Sequence, residues 1–314
     1  KYIHIYYNMA DSDNPRRDIE EMDKVFSRIF KQYGIRVHMV VYTDYNDGGY
    51  EQLAESLKNK DWFLGYQLGN EENKGENENG KRAYYKRANM LAQTMRNADK
   101  KHFIGVGTAE GYFDKTDIDI LAGLKESGKF EFDLVNTNFW PVNWGQLTGT
   151  DQQQRLSAMS DSATNFGNKL QEDCQKNIAE ALGVPIFISE FGMPARPGKD
   201  KNEAAQTKAR QAHFYAEAVP SARKFFAGNS AVVGLCAHEA VNQPWKANTP
   251  GDPIEQKIGP YLGILDNEQA LLAFKNNPAD EIQVSGFHGW TFQNGRIPRD
   301  YFKEAGISEE LLKK

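Results

Sequence analysis

Short apolar runs alternate with longer stretches in which apolar residues recur every three or four positions, and the alternation persists along most of the chain. The first run, over 2–7, reads as a buried strand. Behind it Ile19, Met22, Val25, Phe26 and Ile29 keep helical spacing, which predicts a helix over 17–33. Further strand-like runs cover 37–42, 63–68 and 103–106, with helical patterns over 50–58 and 82–98 between them. Three more strands are expected over 134–139, 186–189 and 232–237, with helices over 163–182 and 204–226. Strands that alternate with helices in this way predict a parallel sheet with helical crossovers.

A closed α/β barrel needs eight strands, and this pattern supplies seven. The economical reading is a (β/α)8 TIM barrel over 1–275 whose first strand lies before Lys1, followed by a C-terminal extension over 276–314 packed on the barrel. In the alternative, the segment 282–292, with Val284, Phe287, Trp290 and Phe292, adds a strand near the gap. No linker rich in Pro, Gly or Ser divides the chain, and no repeat appears beyond the strand and helix alternation. A chain of 314 residues suits one large barrel or two ordinary domains, so length does not choose.

Composition narrows the partner more than the fold. With 43 acidic and 38 basic residues the formal net charge is −5, which leaves no positive field to hold a polyphosphate and argues against nucleic acid. A neutral polymer or small molecule fits better. Aromatic residues make up 12% of the chain, enough both for core packing and for stacking on sugar rings. Cys174 and Cys236 are too few for a disulfide framework and too far apart for a zinc cluster. The longest apolar stretch, 231–237, is far short of a membrane span. The chain opens in a strand-like run without an initiating Met, consistent with a removed leader and a secreted or periplasmic protein.

Candidate chemistry sits at two strand ends. Asn70 and Glu71 close the run that begins at Trp62, and Glu190 closes the run that begins at Val184. In a parallel barrel all C-terminal strand ends share one rim, where catalytic groups gather. Paired carboxylates across a glycosidic bond, one acid and base and the other nucleophile, are the chemistry of sugar hydrolysis. Two such charges a few ångström apart do not both ionise cheaply, so the pair tunes its own protonation. Asn70 could hydrogen-bond the sugar 2-hydroxyl. Charged residues are also common where strands meet solvent, so either glutamate alone would carry no weight.

Rival motifs are weaker. Gly75, Gly80 and Lys81 have phosphate-loop spacing, but Arg82 stands where a magnesium-binding hydroxyl is needed, and Glu76 and Glu78 would repel phosphate. His238 and Glu239 lack the second His of a zinc helix. Asp11, Asp13 and Asn14 lack the glycine and distal glutamate of a calcium loop. No serine elbow or Cys and His pair is present. The expected chemistry requires no metal or organic cofactor.

The runs Gly69-Asn70-Glu71 and Ser189-Glu190-Phe191-Gly192-Met193-Pro194 resemble the two catalytic signatures of clan A, the retaining (β/α)8 glycoside hydrolases. Glu239-Ala-Val-Asn-Gln-Pro-Trp-Lys246 is similar to a segment of family 17, the β-1,3-glucanases and glucan transglycosylases. Thr108-Ala109-Glu110 and the run from Asp133 to Pro141 are similar to that family's fifth and sixth strands. This resemblance implies that Glu71 is the acid and base, that Glu190 is the nucleophile, and that Glu110, Asn138, Glu239 and Trp245 line the sugar sites; from the residues themselves, Asn70 is expected at the sugar 2-hydroxyl, and Trp140 either stacks on a sugar face or packs at the rim. His4 and Tyr42, on the first two strands, are expected beside them. His4 stands where such enzymes usually carry an Arg near the nucleophile, Asn242 and Gln243 replace acidic residues, and Trp140 lies near the usual place of a Tyr that bonds the nucleophile. The expected activity is cleavage or transfer of β-linked glucan, with β-1,3-glucan first. The alternatives are the same pair acting on mannan, a galactoside or mixed-linkage glucan, and a silent barrel that only binds glycan.

Overall fold

The seven apolar runs over 2–7 to 232–237 become strands of one parallel sheet in the computed structural model, which describes residues 2–9, 14–141, 151–194, 201–227 and 231–237. The strands are β1 (Tyr2–Tyr7), β2 (Arg36–Val41), β3 (Phe63–Leu68), β4 (Phe103–Ala109), β5 (Leu134–Asn138), β6 (Ile186–Phe191) and β7 (Val232–Ala237). They lie in sequence order, each parallel to the next. The helices are α1 (Pro15–Tyr33), α2 (Asp47–Leu57), α3 (Glu78–Ala98), α4 (Lys115–Glu126), α5 (Gln152–Lys169) and α6 (Lys201–Ala227). α5 continues through a run of wide π-type turns, Leu170–Glu180. Among the described residues this is a seven-stranded α/β barrel sheet with its crossover helices, the architecture that the pattern predicts.

The sheet curls until its edges meet. The Tyr2 hydroxyl on β1 donates to the Leu235 carbonyl on β7 at 2.7 Å and accepts from the Leu235 amide. Gly234 makes the approach feasible, because a Cβ there would come within 2.5 Å of the Phe187 ring and 2.9 Å of the Tyr2 hydroxyl. The candidate strand at 282–292 and the extension over 276–314 fall outside the described residues.

Helix boundaries follow from their caps. Asn14 caps α1 by accepting from the Arg17 amide at 3.2 Å, Pro15 supplies a ready-made first turn, and Gly34 closes the helix at φ 66°. Asn14, which the sequence placed beside a faint calcium motif, is thus a helix cap. α4 begins in a reciprocal capping box between Asp114 and Asp117.

Beneath the rim, the barrel interior is polar. His38 on β2 sits 2.8 Å from His4 on β1, and 3.3 Å from the Asn136 amide on β5. Gly105 on β4 leaves the space that the Asn136 side chain fills, since a Cβ there would lie 1.8 Å from Asn136 Oδ1. Around this column the core is apolar, with Tyr66, Tyr85, Leu91 and Met95 fully buried between β3, α3 and their neighbours.

Candidate active site

Glu71 owes its position to a sharp corner after β3. Gly69 adopts φ 74° and Glu71 itself φ 56°, a left-handed conformation that a non-glycine residue takes only when its surroundings enforce it. Four contacts do so. Gln67 Nε2 donates to the Gly69 carbonyl at 3.0 Å, and the Tyr84 hydroxyl donates to the Leu68 carbonyl at 2.9 Å. The Thr43 hydroxyl at the end of β2 donates to Glu72 at 2.6 Å. Asn73 ties the far side of the corner to β4, accepting from the Ala109 amide at 2.8 Å. Gly107 permits this, because a Cβ there would stand 2.1 Å from the Gly69 carbonyl oxygen.

Glu190, the penultimate residue of β6, lies directly opposite Asn138 on β5, and the Phe139 amide donates to the Glu190 carbonyl at 2.8 Å. Asn138 is the hub. Its amide nitrogen donates to Glu71 Oε1 at 3.0 Å and to Asn70 Oδ1 at 3.1 Å, and its oxygen accepts from the Ser189 hydroxyl at 2.9 Å. One asparagine therefore sets Glu71 and Asn70 against the strand end that carries Glu190. Glu190 is 6% exposed and accepts from the Tyr6 hydroxyl. Lys74 lies 3.5 Å from Glu71 Oε2.

The other expected residues divide. Asn70 and Asn138 belong to the network with Glu71. Tyr42 stands at the end of β2, its phenol pushed up by burial and by the Glu72 and Asp44 carboxylates. Trp140, half-buried just past β5, packs against the core beside Phe139. Glu110, just past β4, is pushed up to about 7 by burial and by Asp173, with Lys169 offsetting part. It lies near the junction of α5, which ends in Lys169, and the wide-turn run that carries Asp173.

His4 sits away from the rim, its ring enclosed against His38 and pushed down to about 3 by burial, so it stays neutral. Glu239 and Trp245 lie outside the described residues, as do Asn242, Gln243 and His238.

Sequence reasoning missed Tyr6. It lies two positions after His4, hence on the same strand face and nearer the rim, which is the one signal that could have found it. The tyrosine that bonds Glu190 thus comes from β1. Lys81 of the rival phosphate motif is 3% exposed and held by Asp117 at 2.6 Å, Asp114 at 2.9 Å and the Tyr112 carbonyl at 3.0 Å. That buried pairing leaves no ammonium for a phosphate. Among the described residues no cluster of His, Cys, Asp or Glu could hold a metal, and no helix is long and apolar enough to cross a membrane.

A protein-family model described as GH family 5 beta-mannosidase-like matches residues 38–276. Among curated proteins no sequence matches the chain. Solved structures share its fold at low identity. An endo-laminarinase from Formosa Hel1_33_131 is 14% identical with a TM-score of 0.52, over 97% of this chain and 94% of that one. A GH5_18 variant from Streptomyces cattleya in complex with Manβ1-4GlcNAc is 11% identical with a TM-score of 0.56, over 85% and 68%. The exo-β-1,4-mannosidase Op5Man5 from Opitutaceae bacterium strain TAV5 is 13% identical with a TM-score of 0.50, over 98% and 52%, so this chain spans about half of that enzyme. The clan-level reading of the sequence holds, but the family differs from the expected family 17. The chain belongs to glycoside hydrolase family 5, in its beta-mannosidase-like part, and is a glycoside hydrolase.

Proposed function

We propose that this enzyme cleaves β-linked glycans with retention of configuration, and that its preferred glycone is a β-mannoside. The Asn138 hub carries the catalytic part of this reading: one side chain bonds Glu71 and Asn70 and stands beside Glu190 across β5 and β6. In the first step a Glu190 oxygen attacks the anomeric carbon as the bond to the leaving oxygen breaks, and Glu71 gives that oxygen its proton. In the second, Glu71 takes a proton from water or an acceptor sugar, whose oxygen attacks the anomeric carbon and frees Glu190. Asn70 offers a hydrogen bond to the 2-hydroxyl, an interaction that strengthens as charge develops at the neighbouring carbon.

The β-mannoside preference is supported by the description of the matching family model. A second reading, β-1,3-glucan, is favoured by the likeness of Glu239 to Lys246 to the family 17 segment. Polymers of either kind are met outside the cytoplasm, where we place the enzyme. Product analysis on a panel of β-mannosides, β-glucans and β-galactosides, with anomeric configuration followed by NMR, tests all of this together. A first-formed β anomer supports retention, a first-formed α anomer refutes it, and glucan turnover without mannoside turnover selects the second reading. If Glu190→Gln leaves turnover intact, the nucleophile assignment is wrong. Binding without cleavage of any member would leave a silent glycan-binding barrel.

A further inference from the structure

Both oxygens of the Glu71 carboxylate are engaged. Oε1 accepts from Asn138 Nδ2 at 3.0 Å, and Oε2 faces the Lys74 ammonium at 3.5 Å. Delivery of a proton to a leaving oxygen requires that one of them turn to the substrate. Asn138 is 2% exposed and held from behind by Ser189, so it stays. The Lys74 side chain is 44% exposed, on a flexible stem, and is the partner that can withdraw.

The direction of that withdrawal identifies a subsite. Asn138 keeps one oxygen of Glu71, so the oxygen on the flank that faces Lys74 is the one left to meet the substrate. A general acid protonates the oxygen of the departing residue, so groups on this flank border the departing residue and not the glycone. Tyr112, on the short turn Glu110–Tyr112 after β4, presents a 48% exposed ring there, its centroid 5.8 Å from Lys74 Nζ. An exposed aromatic face is a stacking platform for a sugar ring, and it also receives a cation.

The charge balance decides what the platform takes. An ammonium leaving a carboxylate loses a charged partner, and a neutral hydroxyl replaces only part of that interaction. An anionic group on the departing residue replaces it in full and draws Lys74 off Glu71 as it binds. We infer that Lys74 and Tyr112 form a leaving-side subsite for an anionic sugar residue, Tyr112 stacking on the ring and Lys74 pairing with its carboxylate or sulfate. The inference rests on Glu71 being the acid.

The test uses matched leaving groups, 3-carboxyphenyl and 3-carbamoylphenyl β-glycosides of whichever glycone the enzyme turns over, at low salt. The anionic substrate is expected to have a kcat/KM about tenfold higher, in line with one charge-assisted contact. Lys74→Met should abolish that ratio and Lys74→Glu invert it; because the ratio is read, any effect common to both substrates cancels. Oligosaccharides with a uronic acid or a sulfated residue on the leaving side then distinguish carboxylate from sulfate. A wild-type ratio within about twofold of unity, or one unchanged by Lys74→Met, overturns the subsite. If no glycoside is turned over, the catalytic assignment fails instead, and calorimetry with a uronic acid and its amide still reads Lys74: equal affinities overturn the subsite, and a preference for the acid lost in Lys74→Met sustains it.

Discussion

Replacing Tyr6 with Phe removes one hydroxyl and nothing else, since the ring keeps its edge-on packing against His4 at 5.3 Å between centroids. The lost bond goes to a carboxylate that is 6% exposed, so water has little access to replace it. A hydrogen bond to a charged group in such a place is worth roughly 1.5–3 kcal/mol, about ten- to 150-fold in rate. The two half-reactions should share that loss unequally. Attack consumes the charge on Glu190, so the phenol's hold on the carboxylate helps that step only by aiming it. Release of the glycosyl group restores the charge, and there the phenol stabilises the departing carboxylate directly. Tyr6→Phe is therefore expected to lower kcat by about ten- to 100-fold and kcat/KM by much less. The glycosyl-enzyme should accumulate, seen as a burst of aryl product and as an adduct in intact-protein mass spectrometry. If kcat is unchanged, or if kcat/KM falls while kcat holds, Tyr6 does not act on Glu190 in this way.

Gly107→Ala should drive the Gly69 carbonyl away and carry Glu71 with it; a displacement near 1 Å is expected to cost about 10²-fold in kcat, and an active variant with an unshifted melting temperature would refute the corner's role. Lys81→Met leaves Asp117, which is fully buried, with the Tyr85 hydroxyl but without its cation, and should destabilise the fold by about 3 kcal/mol in urea unfolding; a change under about 1 kcal/mol would show that the pair is dispensable. Glu110 holds its proton up to about 7 in the folded chain against an ordinary value near 4.5. Folding therefore favours the protonated form, and stability falls as pH rises from about 4.5 through about 7, then levels. Glu110→Gln should unfold at nearly the wild-type temperature at pH 4 and a few degrees above it at pH 8, a gain on the order of 2 kcal/mol, and equal temperatures at pH 8 would refute the assignment.

The strands were legible in the sequence because β2 to β6 are almost wholly buried and each strand keeps a short apolar core, and the proposed catalytic pair was legible because barrel topology sends every strand end to one rim. Less was readable where packing replaces pattern. β4 runs to Ala109, past the expected end at 106, because Gly105 and Gly107 dilute its apolar signal while making room for Asn136 and the Gly69 corner. α4 has Ile118, Ile120, Leu121 and Leu124 in a short amphipathic turn set off by its Asp114 box, and no helix was expected there. The left-handed backbone of Glu71 leaves no mark on the sequence, since the residue is chosen for its carboxylate and its neighbours bear the strain.

Why sequence favoured His4 over Tyr6 follows from strand tilt. Tyr6 pairs with Val40, Val40 with Gln67, Gln67 with Gly105, and Gly105 with Leu134, four positions before Asn138. Followed along the hydrogen bonds, Tyr6 thus belongs well below the residue that faces Glu190. Its hydroxyl nevertheless reaches Glu190, because strands tilted around a closing barrel rise past one another, and equal register is not equal height. Alternation places His4 and Tyr6 on the same inward face with Tyr6 nearer the rim, and no window of sequence reveals how far the stagger lifts it toward Glu190. One layer down, His4 meets His38, its direct register partner on β2. His4, His38 and the Asn136 side chain form one hydrogen-bonded chain, and burial keeps both imidazoles neutral. A neutral imidazole locked in that chain cannot serve as the cation expected beside the nucleophile, and the neutral donor from Tyr6 takes that place.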